Sequence, residues 1–207
     1  MKYLNWDSEF FGIDSYFIDK PYYDELPKGF ITAKIDINEV KYINYLLQNG
    51  FYFVLNEIVL ECKDFNISSY DIKIKEIDSL AIDYNFFTQT RFHLDKNLKE
   101  KADLLWNNYL KTFKNKPNRH ILVALDNQKI IGIFLFEKID FIYLSFVYID
   151  ENYRNKGIGK ALMNEIKKYK LKIITGTQLQ NPALNFYLKN KFLIKQSNVV
   201  LHRFIRN

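Results

Sequence analysis

The feature that most constrains this chain is a glycine-containing turn, Arg154-Asn155-Lys156-Gly157-Ile158-Gly159, between two segments of different periodicity. The preceding residues 141–149 are apolar, aromatic and β-branched, which predicts a buried strand. The following residues 159–169 predict a helix, whose apolar face holds Ile158, Leu162, Met163 and Ile166. A turn from a strand into a helix N-terminus exposes backbone N–H groups, and the helix dipole adds positive potential. The turn therefore predicts an anion site.

Glycine suits such a site because a side chain would keep a phosphate away from the backbone. A Gly-x-Gly before a helix is also often no more than a tight connection. The pattern differs from the dinucleotide fingerprint, which needs a third glycine. It also differs from a P-loop, because Gly159-Lys160 is followed by Ala161 and not by Ser or Thr.

The composition favours one globular domain with an elaborated N-terminal part, because the chain has 207 residues and is 48% hydrophobic. The net charge of +6 fits either a lysine-rich solvated surface or a field that attracts anionic ligands such as CoA or a nucleotide. No basic tract is interleaved with aromatics, which argues against nucleic-acid binding. No apolar run reaches membrane-spanning length and no signal peptide is evident, so we expect a cytoplasmic protein without a membrane partner.

The cysteine content also favours a cytoplasmic location, because the single Cys62 excludes an intramolecular disulfide and fits a reducing compartment. Cys62 lies in an alternating apolar run and is best explained as a small buried hydrophobe, with a nucleophile as the weaker alternative. The sequence shows no metal-ligand cluster, and we expect no metal.

The periodicity predicts a mixed sheet flanked by helices. Polar residues 63–70 divide the chain into an N-terminal strand–helix–strand subdomain, 1–67, and a second domain, 68–207. The predicted strands are 30–35, 51–62, 72–77, 120–125, 130–136, 141–149, 172–177 and 192–204. The predicted helices are 38–48, 98–113, 159–169 and 182–190.

The turn Arg154-x-x-Gly157-x-Gly159 resembles the acyl-CoA-binding signature of the GNAT superfamily of N-acetyltransferases, Arg/Gln-x-x-Gly-x-Gly/Ala. The element order over the last two-thirds of the chain also matches that family. The resemblance implies the GNAT fold, an α/β (α+β) arrangement with a central mixed, mostly antiparallel twisted sheet, here with an N-terminal βαβ extension. It also implies acetyl-CoA as co-substrate, with the loop amides holding its pyrophosphate. The contacts implied for acetyl-CoA are Val147, Tyr148, Ile149, Arg154, Asn155, Lys156, Gly157, Ile158, Gly159, Lys160, Asn181 and Tyr187.

A second segment, residues 177–187, is similar to the family pattern Asn-x-x-Ala-x-x-x-Tyr-x-x-x-Gly-Phe. Ala183 and Tyr187 match it, whereas Gln180 stands in place of the asparagine and Lys191 in place of the glycine. By the resemblance, Tyr187 is the general acid for the CoA thiolate, and the backbone N–H of Val147 or Tyr148 stabilises the oxyanion. Without it, Asn181 is a helix cap followed by Pro182 at the first helical position, and Tyr187 is a core aromatic.

A narrower resemblance, to the TDP-fucosamine acetyltransferase group, rests on Asn5-Trp6-Asp7-Ser8-Glu9-Phe10-Phe11-Gly12, on residues 90–93 and on Thr177-Gln178. It implies direct acetyl transfer, in a ternary complex, to the amine of a nucleotide-linked amino-deoxysugar. The implied substrate contacts are Arg91, Phe92, His93, Thr177 and Gln178.

Several alternatives stay open at this point. Arg91, Phe92 and His93 also fit a surface charge, a core aromatic and a loop histidine. The acceptor could instead be a peptide N-terminus, a polyamine or an antibiotic amine, or the chain could bind acyl-CoA without catalysis. Dimerisation is common in the family, so a homodimer is also open.

Overall fold

The computed structural model describes residues 1–64, 71–80 and 90–206. The strands in these ranges are β1 (Lys2–Tyr3), β2 (Ser15–Ile18), β3 (Gly29–Asp36), β4 (Tyr52–Cys62), β5 (Lys73–Ile77), β6 (Arg119–Asp126), β7 (Lys129–Lys138), β8 (Ile142–Ile149), β9 (Ile173–Gln178) and β10 (Leu193–Ile205). The helices are α1 (Asn5–Phe11), α2 (Val40–Gln48), α3 (Lys99–Thr112), α4 (Ile158–Lys167) and α5 (Ala183–Lys189), with short 3₁₀ turns at Phe113–Asn115 and Glu151–Tyr153.

The strands of the described residues form one continuous sheet in the order β1-β2-β3-β10-β4-β9-β8-β7-β6-β5. The pairings β2–β3 and β8–β9 are parallel, and the others are antiparallel. The last strand, β10, lies between β3 and β4, so the strand–helix–strand unit β3–α2–β4 encloses the C-terminal strand. This mixed, mostly antiparallel sheet confirms the predicted fold class.

Helices cover both faces of the sheet. On one face, which we call the α4 face, α2, α4 and α5 pack against alternate residues of the central strands, among them Ile58, Leu60 and Leu201. On the opposite face, the α3 face, α1 and α3 pack against another set that includes Phe30, Ile121 and Ile133. Successive side chains of a strand point to opposite faces. Each residue of β4 or β9 can therefore be assigned to one face.

The strands and helices predicted from periodicity all have counterparts, with ends that differ by one or two residues. The structure adds β1, α1 and β2, which the sequence analysis did not predict. The predicted subdomain boundary at residues 67–68 lies outside the described residues and stays a prediction. Cys62 is buried, and burial raises the pKa of its thiol, as expected of a structural and unreactive cysteine. None of the described helices is long and apolar enough to cross a membrane.

Candidate active site

The centre of the site is a gap between β8 and β9. Their parallel pairing joins Ile142–Leu144 to Ile173–Thr175. Beyond it, β8 continues to Ile149 along β7, and β9 continues to Gln178 along β4. In the described residues no ladder pairing joins 145–149 to 176–178, and we call this opening the strand gap. Its β8 side is about 17 Å long at about 3.3 Å per residue.

A β-bulge marks the closed end of the strand gap. Leu135 of β7 is opposite Phe146, whereas Phe136 is opposite Leu144, which leaves Ser145 as the extra residue of β8. A bulge bends its strand and increases the local twist. Beyond the bulge, alternate residues of β8 direct their backbone N–H groups away from β7 and toward the gap. The region predicted to stabilise an oxyanion, Val147 and Tyr148, lies along this edge.

The glycine turn lies at the open end of the strand gap. After Ile149 the chain passes through a 3₁₀ turn, and Asn155 and Gly157 then adopt left-handed φ values of 63° and 84°. Helix α4 begins at Ile158, directly after Gly157. The first N–H groups of a helix have no intrahelical acceptor, so the N–H groups around Ile158, Gly159 and Lys160 can bind an anion. The strand, the turn and the helix follow one another as predicted, and anion binding by the turn stays a prediction.

Gly159 has a second role that the sequence did not reveal. A Cβ at this position would lie 2.9 and 3.0 Å from two ring carbons of Phe186. Helix α5 therefore approaches the first turn of α4 so closely that a side chain at position 159 would force the Phe186 ring to move. Gly132 of β7 acts in the same way, because a Cβ there would lie 2.8 Å from Ile158 Cγ2. Both glycines set the position of the α4 N-terminus.

Tyr187 lies at the closed end of the strand gap. Its side chain hydrogen-bonds with that of Thr175, and the Thr175 hydroxyl donates to the carbonyl of Leu144 over 2.8 Å. Leu144 and Thr175 form the last paired register before the strands separate. Burial raises the pKa of Tyr187 to about 12, which the hydrogen bond with Thr175 lowers only in part. The phenol therefore keeps its proton near pH 7 and can donate it or share it.

The residues around Tyr187 are held by local hydrogen bonds. Asn181 Oδ1 accepts from the backbone N–H of Ala183 over 2.9 Å, and Asn181 Nδ2 donates to Gln178 Oε1 over 3.1 Å. Asn181 thus accepts from the first N–H of α5, but the helix begins at Ala183 with Pro182 at the N-cap position, one residue later than predicted. Thr177 is buried, and its position in β9 places its side chain on the α4 face. Ligand contacts of Asn181, Thr177 and Gln178 stay predictions.

Arg91 joins the N-terminal helix to the α3 face. Its Nη2 lies 3.5 Å from Asp7 Oδ2, and its guanidinium stacks 4.4 Å from the Phe92 ring centroid. Burial lowers the pKa of Arg91, an effect that the negative charges of Asp7 and Glu57 oppose. Burial raises the pKa of Asp7, and Arg91 opposes that shift. Arg91 therefore lies within the electrostatic reach of two carboxylates.

The two residues after Arg91 have structural partners. Phe92 is in the core, with its ring centroid 5.5 Å from that of Phe11. One ring nitrogen of His93 lies 2.7 Å from Thr90 Oγ1, and the other lies 3.0 Å from Asp103 Oδ1. These contacts fit a core aromatic and a loop-fixing histidine. The substrate contacts of Arg91, Phe92 and His93 stay predictions.

Sequence reasoning missed two residues at this site, Thr175 and Glu57. Thr175 carries the hydroxyl that connects Tyr187 to Leu144. Glu57 lies in β4 opposite Gln178 of β9. The available signal for Glu57 was a carboxylate in the middle of a largely apolar strand, which also contains Glu61, because a charged group within a sheet needs a partner or a function.

The opening in the sheet thus has the glycine turn at one end and Tyr187 at the other. Residues 117–193 match the family model described as acetyltransferase (GNAT) domain, and this stretch contains the glycine turn and Tyr187. The chain thus has the GNAT fold, with the matched acetyltransferase domain in its C-terminal half. No curated protein sequence matches the chain.

Solved structures share this fold at low sequence identity. A functionally unknown conserved protein from Staphylococcus epidermidis superposes with a TM-score of 0.59 at 15% identity, over 86% of this chain and 73% of that one. A GCN5-related N-acetyltransferase from Sphaerobacter thermophilus gives 0.56 at 14% identity, over 86% and 60%. One from Kribbella flavida gives 0.54 at 11% identity, over 84% and 68%. The alignment thus spans three-fifths of the Sphaerobacter protein, and the likeness is one of fold.

Proposed function

We propose that this protein is an acetyl-CoA-dependent N-acetyltransferase. The observation that carries the proposal is the alignment of three features along one opening. The strand gap offers backbone hydrogen-bonding edges to an extended chain, and the glycine turn at its open end offers N–H groups to a pyrophosphate. Tyr187, at the closed end, offers a hydroxyl to a sulfur atom. A long acyl carrier with phosphates at one end and a thioester at the other fits this arrangement.

The acceptor we propose is the amine of a nucleotide-linked amino-deoxysugar, probed first as its TDP derivative. Two parts of the narrower resemblance, the segment 5–12 and the segment 90–93, contact each other through Asp7 with Arg91 and through Phe11 with Phe92. This contact supports a shared role of segments that are far apart in sequence. A guanidinium has five N–H donors, so Arg91 can pair with Asp7 and still donate to a ligand phosphate.

The chemistry follows from the positions of the protein groups. The α3 face receives the acceptor, and binding both reactants at the strand gap supplies proximity and orientation. An N–H of β8 near Val147 or Tyr148 stabilises the negative oxygen that forms when the amine attacks the thioester carbonyl. Tyr187 hydrogen-bonds to the departing sulfur. With a pKa of about 12 it is a weaker acid than a thiol of ordinary pKa, about 8.5, so we expect it to share its proton as the C–S bond breaks.

Release of CoA thiol from acetyl-CoA tests the proposal. TDP-amino-deoxysugars are compared with spermidine, an aminoglycoside and a peptide with a free N-terminus. Fast release with a nucleotide sugar supports the whole proposal. Release only with another amine keeps the acetyltransferase and discards the sugar. Binding of acetyl-CoA without release on any amine favours a non-catalytic acyl-CoA-binding protein.

Replacing Tyr187 by phenylalanine tests the catalytic part. We expect turnover to fall by about 10²–10⁴-fold, because a positioned acid contributes about that much. The affinity for acetyl-CoA should stay unchanged in calorimetry. Tyr169→Phe is the matched control, since Tyr169 packs near Phe136, away from the strand gap, and should keep full turnover. Near-normal turnover of Tyr187→Phe would remove Tyr187 from the mechanism.

A further inference from the structure

The guanidinium of Arg91 lies on the α3 face, near the closed end of the strand gap. The Arg91 side chain is 26% exposed, so a ligand can contact it. It lies within electrostatic reach of Glu57 of β4 and of Tyr143 of β8. Glu57 Oε1 is 3.3 Å from the point that a Cβ on Gly176 would occupy, so the carboxylate lies over this glycine of β9. Arg91 therefore belongs to the cleft on the α3 face, from which an acceptor would approach.

The chain next to Arg91 is fixed to helix α3 by a buried hydroxyl. Trp106 Nε1 donates to Thr90 Oγ1 over 3.1 Å. His93 connects the same hydroxyl to Asp103, with ring nitrogens 2.7 Å from Thr90 Oγ1 and 3.0 Å from Asp103 Oδ1. Because Trp106 and Asp103 both belong to α3, these contacts hold the backbone on either side of Arg91 against this helix.

A buried carboxylate fixes the same segment to the sheet. The side chain of Asp95 has no exposed surface. Its Oδ2 accepts from Tyr52 of β4 and His202 of β10, each over 2.7 Å. Its Oδ1 accepts from the backbone N–H of Asn97 over 2.7 Å. Since β4 and β10 are neighbours in the sheet, Asp95 attaches the chain four residues after Arg91 to two adjacent strands.

The hydrogen bonds keep Asp95 charged in this buried place. Burial by itself raises the pKa of Asp95, but the hydrogen bonds from His202, Tyr52 and Asn97 together lower it below its ordinary value. Burying a charge is costly unless the charge is paired and hydrogen-bonded, and an apolar side chain would fill the space without this cost. The carboxylate accepts all three bonds only in one arrangement of residues 90–97, so it specifies that arrangement.

We propose that the buried Asp95 is a positioning residue that fixes Arg91 for the diphosphate of the acceptor, an inference that rests on the proposed nucleotide-sugar N-acetyltransferase function. Asp95 has no exposed surface, so it acts on a ligand only through Arg91. A guanidinium held in one orientation presents two parallel N–H donors to a phosphate. A side chain that is already ordered also loses less entropy when the ligand binds. Affinity for an anionic acceptor therefore depends on a residue that the acceptor does not contact.

The test compares Asp95→Asn with Tyr42→Phe in the thiol-release assay. Asparagine places an NH₂ group where the carboxylate has an oxygen, so at least one of the present donors would face another donor. Tyr42→Phe is the control, because it removes a hydroxyl that hydrogen-bonds with the backbone of Tyr22 on the α4 face, away from residues 90–97. Thermal melting and acetyl-CoA affinity are measured for each variant.

Two matched acceptors separate positioning from a general defect. One is a TDP-amino-deoxysugar, and the other is the methyl glycoside of the same amino sugar, which has no diphosphate. We expect Asp95→Asn to raise KM for the TDP sugar by about 10-fold, the change that corresponds to ordering one long side chain. The values of kcat, of acetyl-CoA affinity and of KM for the methyl glycoside should stay unchanged. Tyr42→Phe should change neither KM.

A milder variant keeps the test available if Asp95→Asn does not fold. Tyr52→Phe removes one donor to Asp95 and leaves the bonds from His202 and Asn97. It should raise KM for the TDP sugar by less than Asp95→Asn, again without an effect on the methyl glycoside. Tyr42→Phe is its matched control, because the same hydroxyl is removed on the opposite face of the sheet.

A double-mutant cycle tests whether Asp95 acts through Arg91. Arg91→Lys keeps the positive charge but loses the planar fork of donors, so it should raise KM for the TDP sugar. Adding Asp95→Asn to Arg91→Lys should then raise KM little further, because the guanidinium that Asp95 positions is gone.

Several results would overturn the inference. An unchanged KM for the TDP sugar, an equal rise for both acceptors, or effects that add to those of Arg91→Lys would show that Asp95 does not position Arg91, and would leave the acetyltransferase proposal intact. Release of thiol by the wild-type protein with the methyl glycoside but not with the TDP sugar would remove the nucleotide-linked acceptor and this inference with it. If the wild-type protein releases no thiol with any amine, the proposed function itself fails.

Discussion

The contact between Gly159 and Phe186 allows an experiment that distinguishes a packing role of Gly159 from a role in ligand binding. The family signature accepts either glycine or alanine at the position of Gly159. In this chain an alanine Cβ would lie 2.9 Å from Phe186 Cε2 and 3.0 Å from Cζ. Distances below 3.0 Å force a neighbour to move. We therefore expect Gly159→Ala, which the signature allows, to destabilise this protein.

Two opposing effects set the size of the change. Alanine in place of glycine favours a helix by up to about 1 kcal/mol. An extra methyl group in a packed contact costs about 1–3 kcal/mol. Gly159 is the second residue of α4 and Phe186 is only partly buried, so both effects fall below their maxima. The expected net loss is about 1 kcal/mol, which corresponds to a melting temperature about 2–4 °C lower for a chain of this size.

The assay is a double-mutant cycle by urea unfolding without ligand. Phe186→Leu replaces the ring that the new methyl group would contact with a shorter side chain. Combining it with Gly159→Ala should recover about 1 kcal/mol relative to the sum of the single variants, within the range of about 0.5–3 kcal/mol seen for residues in contact. Acetyl-CoA affinity is measured in parallel on the four proteins.

A stability of Gly159→Ala equal to or above that of wild type, with no coupling to Phe186→Leu, would refute the packing argument. Gly159 would then be needed only for the approach of a ligand. In that case the loss should appear in acetyl-CoA affinity alone. A stability loss without ligand that Phe186→Leu relieves supports the contact as described.

Three further predictions use other positions. Gly157→Ala places a side chain at φ 84°, which costs about 1–2 kcal/mol, and the distorted turn should also weaken acetyl-CoA binding in calorimetry. Gly132→Ala brings a Cβ to 2.8 Å from Ile158 Cγ2 inside the core, so urea unfolding should show a loss of about 1–3 kcal/mol. Burial lowers the pKa of His202, more than its hydrogen bond to Asp95 raises it. The unfolded chain therefore binds more protons below about pH 6.5, and stability should fall as pH drops from there toward about 5.

Each of these has a result that contradicts it. Wild-type stability and affinity of Gly157→Ala would mean that the turn tolerates another backbone conformation. A stable Gly132→Ala would show that α4 can shift on the sheet. For the pH effect, His202→Gln is the comparison, because it removes the titrating ring. If wild type and His202→Gln lose the same stability between about pH 7.5 and 5, His202 is not the group responsible.

Local pattern was enough to predict most elements of this fold. Residues 141–169 show why, because the apolar strand, the turn and the amphipathic helix each depend on neighbours in sequence. The turn needs left-handed φ values at Asn155 and Gly157, which these residue types adopt readily. Helix α1 was missed for the converse reason. It has seven residues and no side-chain cap, so its aromatic residues provide packing contacts and little helix signal of their own.

The periodicity of the sequence could not predict that β10 lies between β3 and β4. A strand pattern tells which residues face a core, and leaves open which other strand it pairs with. Glu57 shows the consequence for the site. Its position over Gly176 depends on the pairing of β4 with β9, which joins residues more than a hundred positions apart.

The sequence by itself determined the glycine turn, the helix that begins after it and the tyrosine-bearing helix α5, because these follow from φ preferences, capping and short-range spacing. The tertiary structure alone decided where β8 and β9 separate, that Gly159 and Phe186 meet, and that Glu57 lies over Gly176. These depend on the order and register of strands in the sheet. Such pairings are set by the packing of the whole core, and the residues of one strand do not specify which other strand it pairs with.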